Sequence, residues 1–222
     1  MPAFAEHEKI HGLLGRLHAG EDVAVVTDAG SPAISDPGEK LVAEASASNI
    51  QVIPIPGPSA LIAALSASGL PTSRFHFLGF LPRSDTEARQ MLDEVAQLRA
   101  TLVLYESPRR LGETLKRLLL VLGPRRACVA RELTKLYEEF VRGDLSELAS
   151  RFDHDEPQGE IVIVVEGSAL QSRWEQADVE RAISSSLERG EKLKTLSTEL
   201  ARRSGWSSQD LYRIGLGLKP KR

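Results

Sequence analysis

Short apolar runs alternate along the chain with stretches in which apolar residues recur every three or four positions. This alternation is typical of parallel β-α-β units, so the pattern predicts an α/β protein. The runs predict five strands, at Val23–Thr27, Gln51–Ile55, Thr101–Glu106, Ala127–Ala130 and Glu160–Glu166.

Helix ends are marked by capping residues as well as by periodicity. Asp36, Pro37 and Glu39 supply an N-cap side chain, a first-turn proline and an acidic residue three positions after the cap, which together predict a helix start. Further helices are predicted from Ser59 to Ser68, from Thr86 to Leu98, from Pro108 to the residue before Gly123, from Leu193 to Arg203 with Gly205 as its stop, and from Asp210 to Leu218.

Charge is unevenly distributed between the two ends of the chain. The formal net charge of the 222 residues is −3, but residues 1–170 carry −7 and residues 171–222 carry +4. A basic segment can contact phosphate, although a solvated helical surface is the commoner explanation.

Cys128 is the single cysteine, in an apolar setting that favours a buried thiol. No apolar run approaches a membrane span, and a cytoplasmic protein is expected.

Two loops follow the first two predicted strands and could form the rim of a pocket. The first, "DAGSP", carries a carboxylate at Asp28 and a glycine at Gly30; the second, "PGPSA", places Ser59 at a helix start. Ligands bind beyond the carboxyl ends of strands in open parallel sheets. Both loops are also explained as ordinary turns, because turns require these same residue types.

Several familiar chemistries lack their sequence signals. The chain has no glycine-rich dinucleotide or nucleotide-binding motif and no nucleophile-elbow motif,. Its five histidines do not form a ligand spacing with carboxylates, and no metal site is predicted.

Six segments, in order, resemble the ribosomal RNA small-subunit methyltransferase I family of the tetrapyrrole methylase superfamily. They read "VAVVTDAGSPAISDPG", "IPIPGPSALIAALSASGLP", "FLGFLPR", "TLVLYESPRR", "ARELTKLYEE" and "GEIVIVVEG". The resemblance runs from about Phe4 to the "LYRIGLGL" segment. It implies an S-adenosylmethionine-dependent 2′-O-methyltransferase that acts on a cytidine of 16S ribosomal RNA.

The resemblance also implies an architecture. Family members have a two-domain tetrapyrrole-methylase-like fold (class III methyltransferase), with a parallel sheet in the N-domain and a mixed sheet in the C-domain. The cofactor lies in the cleft between these domains, usually in a homodimer. On this basis we expect a truncated N-terminal α/β domain at 1–79, a second α/β domain at 80–170 and a basic helical segment at 171–222.

The resemblance assigns residues to the cofactor, and the chemistry of methyl transfer to a ribose suggests further candidates. The expected cofactor contacts are Asp28, Ala29, Gly30, Ile34, Ser59, Ala60, Tyr105, Glu106, Leu133 and Gly159. Glu106, Glu132 and Lys135 are candidates for accepting the ribose proton or for positioning, with ordinary surface charge as the alternative. Candidates for phosphate contact are Arg109, Arg110, Arg131, Arg202, Arg203, Lys219, Lys221 and Arg222, although the tail cations could equally be solubilising.

One departure from the family concerns the start of the chain. Members normally begin with a strand that ends in a "TPIGN"-like loop, followed by an "EDTR"-like stretch, and neither occurs here. We therefore expect that Met1 is not the natural start of a functional protein.

Two other functions stay open besides ribose methylation. One is C-methylation of a porphyrin or corrin precursor, and the other is RNA binding by a non-catalytic remnant.

Overall fold

The computed structural model describes residues 3–28, 30–153, 157–169 and 174–218, with the side chains of residues 3–7 and 202–203 outside the description. Two compact units are present, Met1–Gly167 and Ser168–Arg222. The described elements of the first unit are helices α1 (Ala3–His18), α2 (Glu39–Ala47), α3 (Ala60–Ala67), α4 (Asp85–Val95), α5 (Leu111–Leu122) and α6 (Leu145–Arg151), and strands β1 (Phe75–Phe80), β2 (Thr101–Glu106), β3 (Arg126–Arg131), β4 (Glu139–Asp144) and β5 (Ile161–Val165).

The first unit is built on one mixed five-stranded sheet with the order β1-β2-β5-β3-β4. Strand β1 pairs with β2 in parallel, and the other neighbouring strands are antiparallel. All five residues of the central strand β5 are buried, which explains why its sequence is a continuous apolar run rather than an alternating one. Three predicted strands are therefore confirmed, with ends that differ by at most one residue.

Each face of this sheet supports its own apolar core, because successive side chains of a strand point to opposite faces. Leu102 and Leu104 of β2 pack with α4, α5 and α6 in the larger core. Val103 of the same strand packs on the other face with Leu61 and Leu65 of α3. Cys128 is buried in this second core, and burial raises the pKa of its thiol, so the prediction of a buried thiol is confirmed.

The two predicted strands nearest the start of the chain are wrong. Val23–Thr27 and Gln51–Ile55 have no regular secondary structure. Val26 is 87% exposed and Ile55 84%, so their side chains have no core to enter. A strand exists only when a neighbour pairs with its N–H and C=O groups. No such neighbour lies beside either segment among the described residues, and the expected parallel sheet of the N-domain is not formed there.

Several other boundaries differ from the prediction. Helix α2 begins at Glu39 after Gly38, whose φ of 127° lies outside the helical region, so Asp36 and Pro37 belong to the preceding loop. Strand β1 was not predicted, and it contains residue 79, where the expected first domain ends. Strand β4 and helix α6 were not predicted. For α6 the signal was present in the sequence, because Asp144 and Glu147 form a reciprocal capping box at its start,.

The second unit consists, in its described part, of α7 (Gln176–Glu188), α8 (Leu193–Ser204) and α9 (Ser208–Leu218). Its core contains Val179, Ile183 and Leu211. Gly205 ends α8 in the left-handed conformation, which confirms the predicted stop. In neither unit does the described chain include a helix that is both long and apolar enough to cross a membrane.

Candidate active site

The ends of three strands meet at one edge of the sheet. Phe80 of β1 is in register with Tyr105 of β2, while Ile161 of β5 is in register with both Glu106 and Arg131. Because β5 runs antiparallel to β2 and β3, the carboxyl ends of β1, β2 and β3 lie at the same edge as the start of β5. This edge is where ligands bind in open α/β sheets.

An apolar face near this edge brings together three of the predicted cofactor contacts. Ala60, Tyr105 and Leu133 are partly buried against the core on the α3 side of the sheet. Phe77 and Phe140 pack against the same core. The three residues come from α3, β2 and the loop after β3, so tertiary structure alone assembles this face.

Tyr105 connects this face to the start of α3. Burial is the main cause that raises the pKa of its hydroxyl, and the charge of Glu160 adds to the effect. Hydrogen bonds with the Leu61 backbone and the Ser59 side chain act in the opposite direction. The Tyr105 hydroxyl therefore contacts the first turn of α3, where Ser59 is the N-cap. This contact places the predicted residue Ser59 beside the apolar face.

Sequence reasoning missed the aromatic residues of β1 that extend the face. The ring centroids of Phe77 and Tyr105 are 4.9 Å apart in an edge-to-face arrangement. The centroid of Phe80 lies 5.7 Å from that of Tyr105, and Phe80 is 49% exposed. The alternation of Phe75 and Phe77 was a usable signal for a strand with an aromatic face. Phe80 shares the face of Phe77 because the register with β2 shifts between Phe77 and Gly79.

A group of three charged residues occupies the same edge. The ammonium of Lys135 lies 2.9 Å from the Oε1 atom of Glu132 and 3.6 Å from the Oε2 atom of Glu160. Its hydrogen bond with Glu132 is the largest cause that raises the pKa of Lys135, and the same bond lowers the pKa of Glu132. Both residues are therefore ionised at neutral pH, as a cation held between two carboxylates.

The backbone that carries this group is strained. Glu132 and Thr134 have φ angles of 49° and 67°, which are uncommon for residues with a side chain and costly for a β-branched one. The backbone N–H of Glu132 donates to the carbonyl of Glu160, and that of Thr134 donates to the Glu138 carboxylate. Strain of this kind is concentrated at functional sites.

Gly159 allows the Glu132 side chain to lie against the start of β5. A Cβ atom at position 159 would be 1.8 Å from Oε1 of Glu132, and the φ angle of Gly159 is 93°. Both observations require glycine at this position. The structure thus places Gly159 beside the charged group, and direct contact with a cofactor stays a prediction.

The first predicted cofactor loop is largely exposed. Asp28, Gly30 and Ile34 are exposed, and Ala29 lies outside the described residues. The loop approaches the sheet through Ser35, whose hydroxyl oxygen would be 3.2 Å from a Cβ atom on Gly79 of β1. The roles of Asp28, Ala29, Gly30 and Ile34 as cofactor contacts stay predictions.

Glu106 does not belong to the apolar face. It follows Tyr105 in β2 and therefore points to the opposite side of the sheet, where its side chain is completely buried. Its carboxylate accepts a hydrogen bond of 2.6 Å from the buried hydroxyl of Thr114 in α5. This position does not fit the predicted catalytic or cofactor-contacting role, because the side chain is enclosed in the other core.

The arginines predicted to bind RNA occupy different environments. Arg110 donates to the Leu81 carbonyl at 2.9 Å, and Arg131 to the Glu139 carboxylate at 2.6 Å. Both guanidinium groups are mostly enclosed, so neither is free for phosphate. Arg109 is exposed and keeps its predicted role. The side chains of Arg202 and Arg203, and the whole of Lys219, Lys221 and Arg222, lie outside the described residues.

The chain matches a known protein family over most of its first unit. Residues 3–149 match the tetrapyrrole (corrin/porphyrin) methylases. Within the described residues, no group of three His, Cys, Asp or Glu side chains could hold a metal ion. The chain is also similar in fold to the methyltransferase CobJ, with a TM-score of 0.57, 20% identity, and 74% of this chain and 72% of that one covered. The chain is therefore a methyltransferase of the tetrapyrrole methylase class.

Closer relatives identify the branch of this class. One is the ribosomal RNA small subunit methyltransferase I of Halalkalibacterium halodurans, 42% identical over 207 residues that cover 91% of this chain and 72% of the relative. The protein of the same name from Synechocystis sp. is 41% identical over 216 residues, covering 96% of this chain and 77% of the relative. The chain belongs to the ribosomal RNA small subunit methyltransferase I family.

This family membership confirms several predictions made from the sequence. The family resemblance, the α/β tetrapyrrole-methylase fold and the methyltransferase class are confirmed. Membership also confirms S-adenosylmethionine as the methyl donor. The assignment of individual residues to the cofactor stays a prediction, and so does the division of the chain at residues 79 and 170.

Proposed function

We propose that this chain transfers a methyl group from S-adenosylmethionine to the 2′-hydroxyl of a cytidine ribose in 16S ribosomal RNA. The names of the relatives support small-subunit ribosomal RNA as the substrate class. The observation that carries the proposal is the convergence of Ala60, Tyr105 and Leu133 on one apolar face, with Lys135 held nearby at the same sheet edge.

The residues of this edge fit the chemistry of the methyl donor. Tyr105, Phe80 and Leu133 offer partly exposed aromatic and aliphatic surface of the kind that an adenosyl group packs against,. Ser59 makes no side-chain cap with α3, and its hydroxyl lies beside that of Tyr105 at the start of that helix. Ser59, Ala60, Tyr105 and Leu133 would hold the donor, which supplies a methyl group activated by the sulfonium.

The ionisation of Glu132 and Lys135 decides which roles they can take. A raised pKa keeps Lys135 protonated at neutral pH, so it is a poor general base,. A lowered pKa makes Glu132 a weak base as well. We therefore assign Lys135 to electrostatic positioning of the RNA backbone or ribose and Glu132 to holding Lys135. Methyl transfer depends chiefly on such positioning, because the oxygen must be aligned with the methyl carbon.

The direct test is methylation of isolated 30S subunits and of free 16S RNA with isotopically labelled S-adenosylmethionine. The proposal expects label in RNA, with one phosphodiester bond that becomes resistant to alkali because its 2′-oxygen is methylated. A transcript with 2′-deoxycytidine at the mapped position should accept no label. Label on a base, or at a residue other than cytidine, would contradict the proposal.

The same assay separates the two other functions. A porphyrin or corrin precursor offered in place of RNA should accept no label, and transfer to its carbon atoms would favour the C-methyltransferase alternative. A non-catalytic RNA-binding protein would retain 16S RNA on a filter without transferring label. These three outcomes are mutually distinguishable in one set of reactions.

Asp28→Ala tests the exposed "DAGSP" loop. Loss of a hydrogen bond to a charged acceptor should weaken S-adenosylmethionine binding about tenfold, measured by calorimetry. Asp22→Ala is the matched control, because Asp22 is also exposed in the segment before this loop and should leave binding unchanged. Equal affinities for all three proteins would remove Asp28 from the cofactor site.

Replacing both Arg202 and Arg203 with alanine tests the basic C-terminal segment. The slope of log affinity against log salt should become shallower by about 0.7 for each removed cation that contacts a phosphate of single-stranded RNA. Arg181→Ala with Arg213→Ala is the control, because these exposed arginines are paired with Asp178 and Asp210. An unchanged slope in the Arg202/Arg203 variant would assign those residues to a solvated surface.

A further inference from the structure

The Glu106 carboxylate lies behind the candidate site and is fully engaged there. Its Oε2 atom accepts from the Thr114 hydroxyl at 2.6 Å. Its Oε1 atom accepts from the backbone N–H of Ser107 at 2.8 Å and is 3.4 Å from the Ser107 hydroxyl. The carboxylate therefore ties the last residue of β2 to the start of the following helix.

Arg110 extends this network to the neighbouring strand. Its guanidinium lies 3.6 Å from Oε2 of Glu106. The same group donates to the Leu81 carbonyl at 2.9 Å and to the Pro82 carbonyl at 3.3 Å. Leu81 directly follows the last residue of β1. One buried carboxylate and one arginine thus join the carboxyl ends of β1 and β2.

The network lies on the opposite side of the sheet from an aromatic pair. Phe80 and Tyr105 are in register on these two parallel strands, and their ring centroids are 5.7 Å apart. Each precedes a residue of the network, Leu81 or Glu106. A change in the spacing of the strand ends would therefore move the two rings on the site face.

Burial of a carboxylate is expensive unless several donors compensate for the lost water. An apolar side chain could fill the same space with similar or greater stability. Hydrogen bonds fix both the distance and the angle between the groups they join. An apolar side chain would not fix the relative orientation of these groups. This difference points to a role in alignment rather than in stability alone.

We propose that Glu106 is a positioning residue for the methyl donor. Through Thr114 and Arg110 it sets the spacing of the ends of β1 and β2, and so orients Phe80 and Tyr105 on the face that binds S-adenosylmethionine. This inference rests on the cofactor site assigned under the proposed function, and it gives Glu106 a role without contact to the donor.

Thr114→Val is the most informative change, because it removes the hydroxyl from Glu106 and nearly conserves volume. Strand β2 contains a matched control at its other end, where the equally buried Thr101 donates to the Pro71 carbonyl at 2.6 Å. Thr101→Val loses a hydrogen bond of the same length that also involves an end of β2, while the bond lost in Thr114→Val joins α5 to Glu106. Both variants should therefore show similar losses of stability in urea unfolding.

The two variants should differ in binding the methyl donor. Calorimetry with S-adenosylmethionine and with S-adenosylhomocysteine should show an affinity loss of about tenfold for Thr114→Val, caused by misalignment of the binding surface. Thr101→Val should bind both compounds like the unmodified protein. Thr114→Ser keeps the hydroxyl and should restore most of the affinity, while Glu106→Gln should weaken binding at least as much as Thr114→Val.

Each outcome decides the inference. Binding within about twofold of the unmodified protein in both Thr114→Val and Glu106→Gln would overturn it, and so would an equal loss of affinity in Thr101→Val. Failure of the RNA assay with normal donor binding would overturn the proposed RNA substrate and leave this inference standing. Absence of donor binding by the unmodified protein would overturn both.

Discussion

Gly159→Ala is expected to lower the free energy of unfolding by about 3 kcal/mol and methyl transfer by about 100-fold. A Cβ atom at position 159 would overlap the Glu132 carboxylate, and alanine would be strained at a φ of 93°. The Glu132 side chain is 17% exposed and bound to Lys135, so it can move away only by breaking that ion pair. Urea unfolding and initial rates of methyl transfer measure the two effects.

Two controls separate overlap from backbone strain. Gly20 has a φ of 87° with open space where a Cβ atom would lie, so Gly20→Ala should cost only about 1 kcal/mol for its backbone conformation. In a Glu132→Ala background the overlap is absent, and Gly159→Ala should then cost about as much as Gly20→Ala. Additive effects of Glu132→Ala and Gly159→Ala would show that the two side chains do not compete for this space.

Lys135→Met is expected to slow methyl transfer about 100-fold, the scale of losing one electrostatic donor at an active site. Without the ammonium, the carboxylates of Glu132 and Glu160 face the approaching RNA uncompensated. The KM for RNA should rise, while the affinity for S-adenosylmethionine should stay within about twofold, since Lys135 is not one of the residues assigned to hold the donor. Steady-state kinetics and calorimetry test the two statements.

The pH dependence of the rate gives an independent check of the same residue. The pKa of Lys135 is raised above its ordinary value by Glu132, so its charge persists through neutral and mildly alkaline pH and is lost only above that ordinary value. Activity should therefore show no decline that depends on Lys135 between neutral and mildly alkaline pH. Lys135→Arg should keep most activity, and Lys116→Met, which removes from α5 a lysine paired with Asp153, should have no effect. A steep loss of activity near neutral pH that disappears in Lys135→Arg would contradict the assignment.

The sequence was most informative where local chemistry determines structure. Strand β2 was predicted to the residue, because Thr101–Glu106 is an apolar run ending in a polar side chain. Gly123 and Gly205 were predicted as helix stops and both have positive φ angles. The order of the six family segments was enough to predict the fold, the enzyme class and the methyl donor, which family membership confirms.

Pairing between strands was the first property that local pattern could not settle. Val23–Thr27 and Gln51–Ile55 have the composition of strands and form none. Strand β1 contains a glycine at a break in the register with β2 and was not among the predicted strands. A strand is stabilised by hydrogen bonds to a partner that is distant in sequence. The composition of a segment therefore does not show whether it forms a strand.

The direction and environment of individual side chains were decided by tertiary structure alone. Sequence placed Tyr105 and Glu106 together at a strand end, and the pleat of the sheet sends one to the site face and the other into the opposite core. The sequence likewise shows that Arg110 and Arg131 are charged, but it does not show that the Leu81 carbonyl and the Glu139 carboxylate bind them. The sequence by itself determined which elements form by local preference and which family they belong to. Only the folded chain determined which charges remain available for chemistry, because long-range packing fixes solvent access and partners.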